Sequence, residues 1–284
     1  MLRRSLLAAL PATISAALLA RRLRGSTTPA KFQLGSVTYQ LFQHASLEET
    51  IAELEKAGYA AVELRTTHQH GVEPSIGPEA RRKVKERFAG SKVRLLSFGT
   101  TCRFQSPDAE ERKHQLEIAK SFIDLAHDTG AKGIKLQPQG FASNVSKEAT
   151  IQYFGAAMHE LGEYGAPRGV ETWMEVHGRG TSDPQVAAAM LKAADHPKVG
   201  ACWNSNPTDL VSGSIEPSFA LLRPWIRNVH LHDLTDEAYP FRDLFQRLRN
   251  SGYDGYTLCE VPESKERGRF LAYYKALWTE MNRA

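Results

Sequence analysis

Cysteine is scarce in this chain of 284 residues: Cys102, Cys202 and Cys259 are an odd number and widely spaced. No C-x-x-C pair occurs, which excludes a disulfide framework and a thiolate zinc site and leaves buried free thiols as the expectation. A bilayer-spanning run is also missing: the apolar stretch Leu6–Ala20 has fifteen residues interrupted by Pro11, against the roughly 20 that a spanning helix needs. Positive charge is in short supply outside the first residues. Of the net +4, five charges (Arg3, Arg4, Arg21, Arg22, Arg24) lie in residues 1–24 with no acid among them, leaving −1 for the rest. A near-neutral body excludes a phosphate-backbone binder, which needs a clustered basic face, so no nucleic-acid partner is expected. No Pro/Gly/Ser linker or composition break divides residues 30–284, and no glycine-rich fingerprint follows the first apolar run. A dinucleotide-binding doubly wound sheet is therefore disfavoured.

What is present begins with "MLRRSLLAALPATISAALLARR", a basic start followed by an apolar core of signal-peptide length. Arg3-Arg4 followed by Ser5, Leu6 and Leu7 looks like a twin-arginine export signal. Residues 1–29 are read as signal and short linker, and 30–284 as one catalytic domain. The expectation is a periplasmic, exported protein with no stable membrane insertion once the signal is removed.

From residue 30 short apolar runs alternate with helical stretches. The strand candidates are "FQLGSVTY" (32–39), "AAVELR" (60–65), "VRLLSFG" (93–99), "GIKLQ" (133–137), "ETWMEVHG" (171–178), "VGACWN" (199–204), "NVHLH" (228–232) and "YTLCEV" (256–261). Such runs fit parallel strands covered on both faces. Between them, "SLEE" at 46–49 predicts a capping box, "SPDAEE" opens a long helix with Pro107 in its first turn, and Ser146 and Ser182 are candidate caps. Eight strands alternating with about eight helices predict a single (β/α)8 TIM barrel.

A barrel of this kind carries its active site at the C-terminal ends of the strands, and there the sequence places its awkward polar residues. Glu63 lies near the end of the second run, with His68 and His70 in the loop beyond; Lys135 and Gln137 share a face of the fourth. Trp173, Glu175 and His177 share a face of the fifth, and Asn204 and Asn206 follow the sixth. His230 and His232 close the seventh and Glu260 the eighth. A carboxylate in an apolar strand is costly unless paired or metal-bound. Glu175, Asn204, His230 and Glu260 make a mixed oxygen and nitrogen set suited to Mn²⁺, Mg²⁺, Zn²⁺ or Co²⁺. The two glutamates are the candidate acid/base pair. Glu63, His68, His70, Lys135, Gln137, His177, Asn206 and His232 are candidate substrate contacts, and core packing is expected of Trp173 and Trp203.

The succession "GYAAVEL", "MEVHG", "CWN", "HLHD", "GYDGYTLCE" resembles the xylose isomerase-like TIM barrels, the sugar phosphate isomerase/epimerase superfamily, over residues 32 to about 262. In that family a Glu ends strand five, an Asp strand six, a His of a His-x-x-Asp motif strand seven and a Glu strand eight. The matching positions are Glu175, Asn204, His230 and Glu260. The chain departs from the pattern at Asn204, which carries no charge, at Pro207, where many members have a His, and at His232, often a Lys. "RTTHQHGVEP" and "CWNSNP" look like an exported subgroup. The resemblance implies a metal-dependent isomerase or epimerase of a small carbohydrate. One glutamate would remove a proton α to a carbonyl, and the other return it. A lyase or dehydratase on a keto-sugar or glycoside shares the early steps, and the loss of the Asp and His keeps a metal-poor carbohydrate-binding protein in view. Export and the lack of a Lys/Arg cluster at the strand ends favour an unphosphorylated sugar. A homo-oligomer is possible.

Overall fold

The computed structural model describes residues 29–283; the expected export signal lies outside this range. Eight parallel strands close on themselves in sequence order: β1 (Gln33–Val37), β2 (Ala61–Arg65), β3 (Arg94–Gly99), β4 (Gly133–Leu136), β5 (Glu171–Glu175), β6 (Val199–Trp203), β7 (Ile226–Leu231) and β8 (Tyr256–Cys259), with β8 pairing to β1. Eight helices follow the strands: α1 (Leu47–Ala57), α2 (Pro78–Ala89), α3 (Ala109–Thr129), α4 (Lys147–Gly165), α5 (Pro184–Ala194), α6 (Glu216–Leu222), α7 (Phe241–Asn250) and α8 (Arg267–Met281). The (β/α)8 barrel predicted from the alternation is what the chain forms. Among the described residues no helix is long and apolar enough to cross a membrane.

The helix starts follow the capping chemistry, with two corrections. Ser46 forms the expected box: its hydroxyl accepts from Glu49 N at 3.2 Å, and Glu49 Oε2 accepts from Ser46 N at 2.7 Å. Ser146 caps α4. The cap of α5, however, is Asp183 rather than Ser182. Pro184 takes the first helical position with its φ already set, and the Asp183 carboxylate accepts from Gln185 N at 2.8 Å. In α3 the cap is Asp108, so Pro107 precedes the helix instead of lying in its first turn.

Alternation along each strand divides the side chains between two cores. Leu64, Leu136, Met174, Leu231 and Cys259 point outward into the large apolar layer between sheet and helices. Val37, Ala61, Leu96, Trp173 and Leu258 fill the barrel interior as a separate cluster. Gly133 leaves room for that layer, since a Cβ there would lie 3.1 Å from the Trp173 ring. Two residues further along the inward face, Ala61 gives way to Glu63, Gly133 to Lys135, Trp173 to Glu175, Asn228 to His230 and Leu258 to Glu260. The apolar plug thus supports a polar layer at the mouth. Trp173 and Trp203 are both fully buried, as expected of core residues, and all three cysteines are buried free thiols.

Candidate functional site

The polar layer is a buried charge cluster. His230, with no exposed side-chain surface, stands between three carboxylates: Nδ1 lies 3.1 Å from Glu260 Oε2 and 3.4 Å from Glu175 Oε1, while Nε2 faces Glu63 Oε1 at 3.5 Å. The Lys135 ammonium donates to Glu175 Oε2 at 2.6 Å and lies 3.6 Å from Glu63 Oε1. A register shift in the β2–β3 ladder pairs Val62 with Leu95 but Glu63 with Ser97, and the Ser97 hydroxyl donates to Glu63 Oε2 at 2.8 Å. Gly99 leaves room for the same carboxylate, since a Cβ there would approach Glu63 Oε1 to 2.7 Å.

These neighbours override burial. Desolvation alone would raise the carboxyl groups of Glu63 and Glu175, but the Lys135 charge and then His230 hold both below the usual range. At Glu260 burial is outweighed by the His230 charge, its hydrogen bond and that of His232, which hold the carboxyl well below normal. Burial opposes the imidazolium of His230, yet the surrounding carboxylates of Glu260 and Glu63 raise it well above an ordinary histidine. The cluster is therefore ionised: three carboxylates against one ammonium and one imidazolium.

The two histidines two apart in β7 divide the labour. His230 is sealed in, whereas His232 keeps 41 % of its side chain exposed, 3.6 Å from Glu260 Oε2 at the cavity wall. Above the layer opens a cavity of about 460 Å³, within the range of small-molecule sites. Glu260, Asn204, Asn206, His177, Gln137 and His232 line it, joined by Tyr39, Gln40, Arg65 and Gln139. Several of these are fixed: Asn206 Nδ2 donates to Val176 O, and His177 Nδ1 to Pro138 O at 3.1 Å.

Of the charge cluster only Glu260 lines the cavity; Glu63, Lys135, Glu175 and His230 are absent from the lining and connect to it through the 3.1 Å contact of His230 with Glu260. The structure does not bring His68 and His70 into the lining. His70 spends both ring nitrogens in its own loop, donating to Arg65 O at 2.8 Å and accepting from Val72 N at 3.0 Å. His68 bonds Thr38 Oγ1 at 2.9 Å, and burial, with the Arg65 charge, pushes it down to about 4, a neutral ring that supports Thr38. Sequence reasoning missed Tyr39, Gln40, Arg65 and Gln139. The signal for Arg65 was its place as the last residue of an apolar run, and for Gln139 its spacing of two from Gln137.

The donor set fits a divalent cation. One atom each from Glu175, His230 and Glu260 lies within 4.8 Å of the others. Asn204 Oδ1 is buried without a partner, as an oxygen awaiting an ion would be. Glu63 behind His230 Nε2 is the kind of outer carboxylate that orients a ligating imidazole.

A closed parallel barrel with two glutamates and a histidine converging at the C-terminal ends of its strands defines a (β/α)8 barrel with a candidate site in the usual place. The family model for xylose isomerase-like TIM barrels matches residues 51–277, and the chain belongs to that family. Solved structures with the same fold include the D-psicose 3-epimerase of Clostridium cellulolyticum H10 with D-tagatose, at 14% identity and TM-score 0.77, covering 89% of this chain and 100% of that one. The IOLI protein with a binding zinc atom is 18% identical, with TM-score 0.74, covering 88% of this chain and 98% of that one. The 3-keto-D-glucoside 4-epimerase YcjR of E. coli is 14% identical, with TM-score 0.73, covering 87% and 99%. A search of curated proteins gives no match.

Proposed function

We propose that the protein is a divalent-metal-dependent isomerase or epimerase of an unphosphorylated sugar or keto-sugar, acting by proton transfer at the carbon next to a carbonyl. The observation that carries this is the approach of Glu175, from β5, and Glu260, from the end of β8, to one imidazole nitrogen, at 3.4 and 3.1 Å. The resemblance of the fold to proteins named as sugar epimerases supports it. A divalent ion held by Glu175, His230 and Glu260, with the Asn204 oxygen, would supply Lewis-acid polarisation of the substrate carbonyl.

The chain's own residues do the rest. Glu260, at the cavity surface, is a carboxylate within reach of a bound substrate and is the group placed to take the proton. Glu175 approaches the same imidazole from β5, beneath the cavity lining, and its carboxylate accepts from the Lys135 ammonium at 2.6 Å. Removal of the proton by Glu260 and its return from the same carboxyl group to the neighbouring carbon would move a hydrogen between carbons through an enediolate; inversion at one carbon would need Glu175 to carry a proton at the start and deliver it as Glu260 takes one up. Asn206, His177 and Gln137 offer amide and imidazole groups to substrate hydroxyls.

Glu260→Gln keeps the shape of the side chain but cannot take the proton. With a turned-over ketose in heavy water, deuterium wash-in should fall by at least about a hundredfold, while the wild type retains about one divalent ion per chain. Undiminished wash-in removes Glu260 from the chemistry. The buried Lys135–Glu175 pair favours a second reading, a carbohydrate-binding protein whose own ammonium serves as the cation of the site. Less than a tenth of an equivalent of metal, with no wash-in on any ketose, would support that reading instead.

A further inference from the structure

The lining of the mouth cavity continues past Arg65, Gln137 and Gln139 into a second depression of about 480 Å³, which shares those three residues. Its far side is formed by Thr101, Arg103 and Gln115, and no Asp or Glu lines it. The cleft thus carries Glu260 in the mouth cavity, Arg65 in the wall common to both depressions and Arg103 in the second.

Arg65 is held in place. Its Nη1 donates to Thr66 O at 2.9 Å and Thr67 Oγ1 at 3.4 Å, its Cζ sits 5.5 Å from the Tyr39 ring centroid, and its Cγ lies against Gly99. The Nε and Nη2 edge has no protein acceptor among the described residues, and neither Arg65 nor Arg103 forms an ion pair there. The nearby Glu73 carboxylate is instead taken by Thr66 Oγ1 at 2.8 Å and Thr67 N at 2.6 Å. A guanidinium fork fixed at one edge and free at the other, in the wall of a ligand cavity, matches the two oxygens of a carboxylate.

We propose that this lobe is a carboxylate subsite, so that the substrate is a sugar acid: its reacting carbons lie at Glu175 and Glu260, and its anionic end lies on Arg65 with Arg103 beyond. One free fork suits a monoanion. A phosphate ester would set a dianion against the same two guanidinium groups, and the comparison of tails separates the two anions. The inference rests on the proposed placement of the sugar at the mouth.

The test uses one ketose head with three tails: D-fructose, D-fructuronate and D-fructose 6-phosphate, titrated calorimetrically into the Mn²⁺-supplemented protein. D-fructuronate should bind at least about tenfold tighter than D-fructose, as a charge-assisted bond implies, and tighter than the phosphate ester. Added salt should narrow the gap. In Arg65→Gln the ratio of uronate to fructose affinity should collapse to within about twofold of unity. Arg103→Gln, an exposed position, should lower the ratio in part, and carries the comparison should Arg65→Gln fail to fold. Equal binding of fructose and fructuronate, a ratio unmoved by either variant, or a preference for the phosphate overturns the subsite and leaves the proposed function standing. Failure of all three to bind a Mn²⁺-loaded protein overturns the placement of the sugar and the subsite with it.

Discussion

Asn204 occupies the position where the family pattern has an aspartate, and its unpartnered buried Oδ1 is the side-chain atom that a cation would satisfy. Asn204→Asp adds a negative charge with almost no change of shape. If the oxygen is a ligand, Mn²⁺ affinity should rise about tenfold, since carboxylate is the better donor to a hard cation. Turnover should not rise with it, because a more negative donor set weakens the Lewis acid. Equal affinities in calorimetric titration would remove Asn204 from the site and leave Glu175, His230 and Glu260. Lys135 tests the opposite sign of charge. Its side chain and those of Glu63 and Glu175 are all at most 4 % exposed, and removing one partner of such a set strands the rest. Lys135→Met should lose about 3 kcal/mol of stability in chelator and recover part of it with Mn²⁺, which can then sit against the freed Glu175 Oε2. The denaturant midpoint reads both changes; a variant as stable as wild type in chelator would show that the ammonium merely fills space.

Among the elements, the loop after β6 is tied down by one carboxylate. Asp209 closes the 3-10 turn Pro207–Asp209, and its Oδ2 accepts from Tyr239 OH at 2.7 Å and from Asn206 N at 2.9 Å. Its Oδ1 is buried without a partner, and burial pushes the group up to about 7 against the pull of Tyr239, Asn206 and His232. The folded protein therefore keeps a proton that the unfolded chain releases above about 4. Stability should fall as pH rises from about 4 to about 7, with a slope approaching about 1.4 kcal/mol per pH unit from this group. Asp209→Asn cannot ionise and should flatten that slope in urea titrations across the window; an unchanged slope assigns the pH dependence elsewhere. The elements themselves were legible. Every strand candidate overlaps its strand, because buried parallel strands read as short apolar runs between helical stretches. Ser182 and Pro107 misled because each stands beside the Asp that caps. The inward layer of Glu63, Lys135, Glu175, His230 and Glu260 was legible from alternation. Its pairing was not. Lys135 registers with Trp173 rather than with Glu175, so the strand pattern alone does not place its ammonium 2.6 Å from that carboxylate. Arg65 escaped because a terminal strand arginine looks solvated until the Tyr39 and Gly99 beside it are known.

For the whole molecule the charge cluster is a seam, since its residues come from β2, β4, β5, β7 and the end of β8 in a ring with no free edge. Without metal, the lowered carboxyls of Glu63, Glu175 and Glu260 contribute stability that is present above about 4.5 and lost as pH falls through their folded values. His230, raised by the same neighbours, contributes stability present below about 6.5 and lost as pH rises through its folded value. A divalent ion changes this balance, because a ligating imidazole must be neutral. Binding of Mn²⁺ should then release about one proton per ion near neutral pH, the proton of His230, and affinity should fall as pH is lowered. Because the ligands span the closed barrel, Mn²⁺ at a hundred times its dissociation constant should stabilise the entire fold by about 2.7 kcal/mol. Calorimetry in two buffers of different ionisation enthalpy counts the proton, and denaturant titration with and without Mn²⁺ measures the linkage. A His230→Gln variant, which has no imidazolium to discharge, should bind Mn²⁺ more weakly and release no proton. Proton release that persists in that variant would place the discharged group elsewhere. Mn²⁺ binding that leaves the unfolding midpoint unmoved would mean that the unfolded chain binds the ion as well, and that the folded ring is not the site.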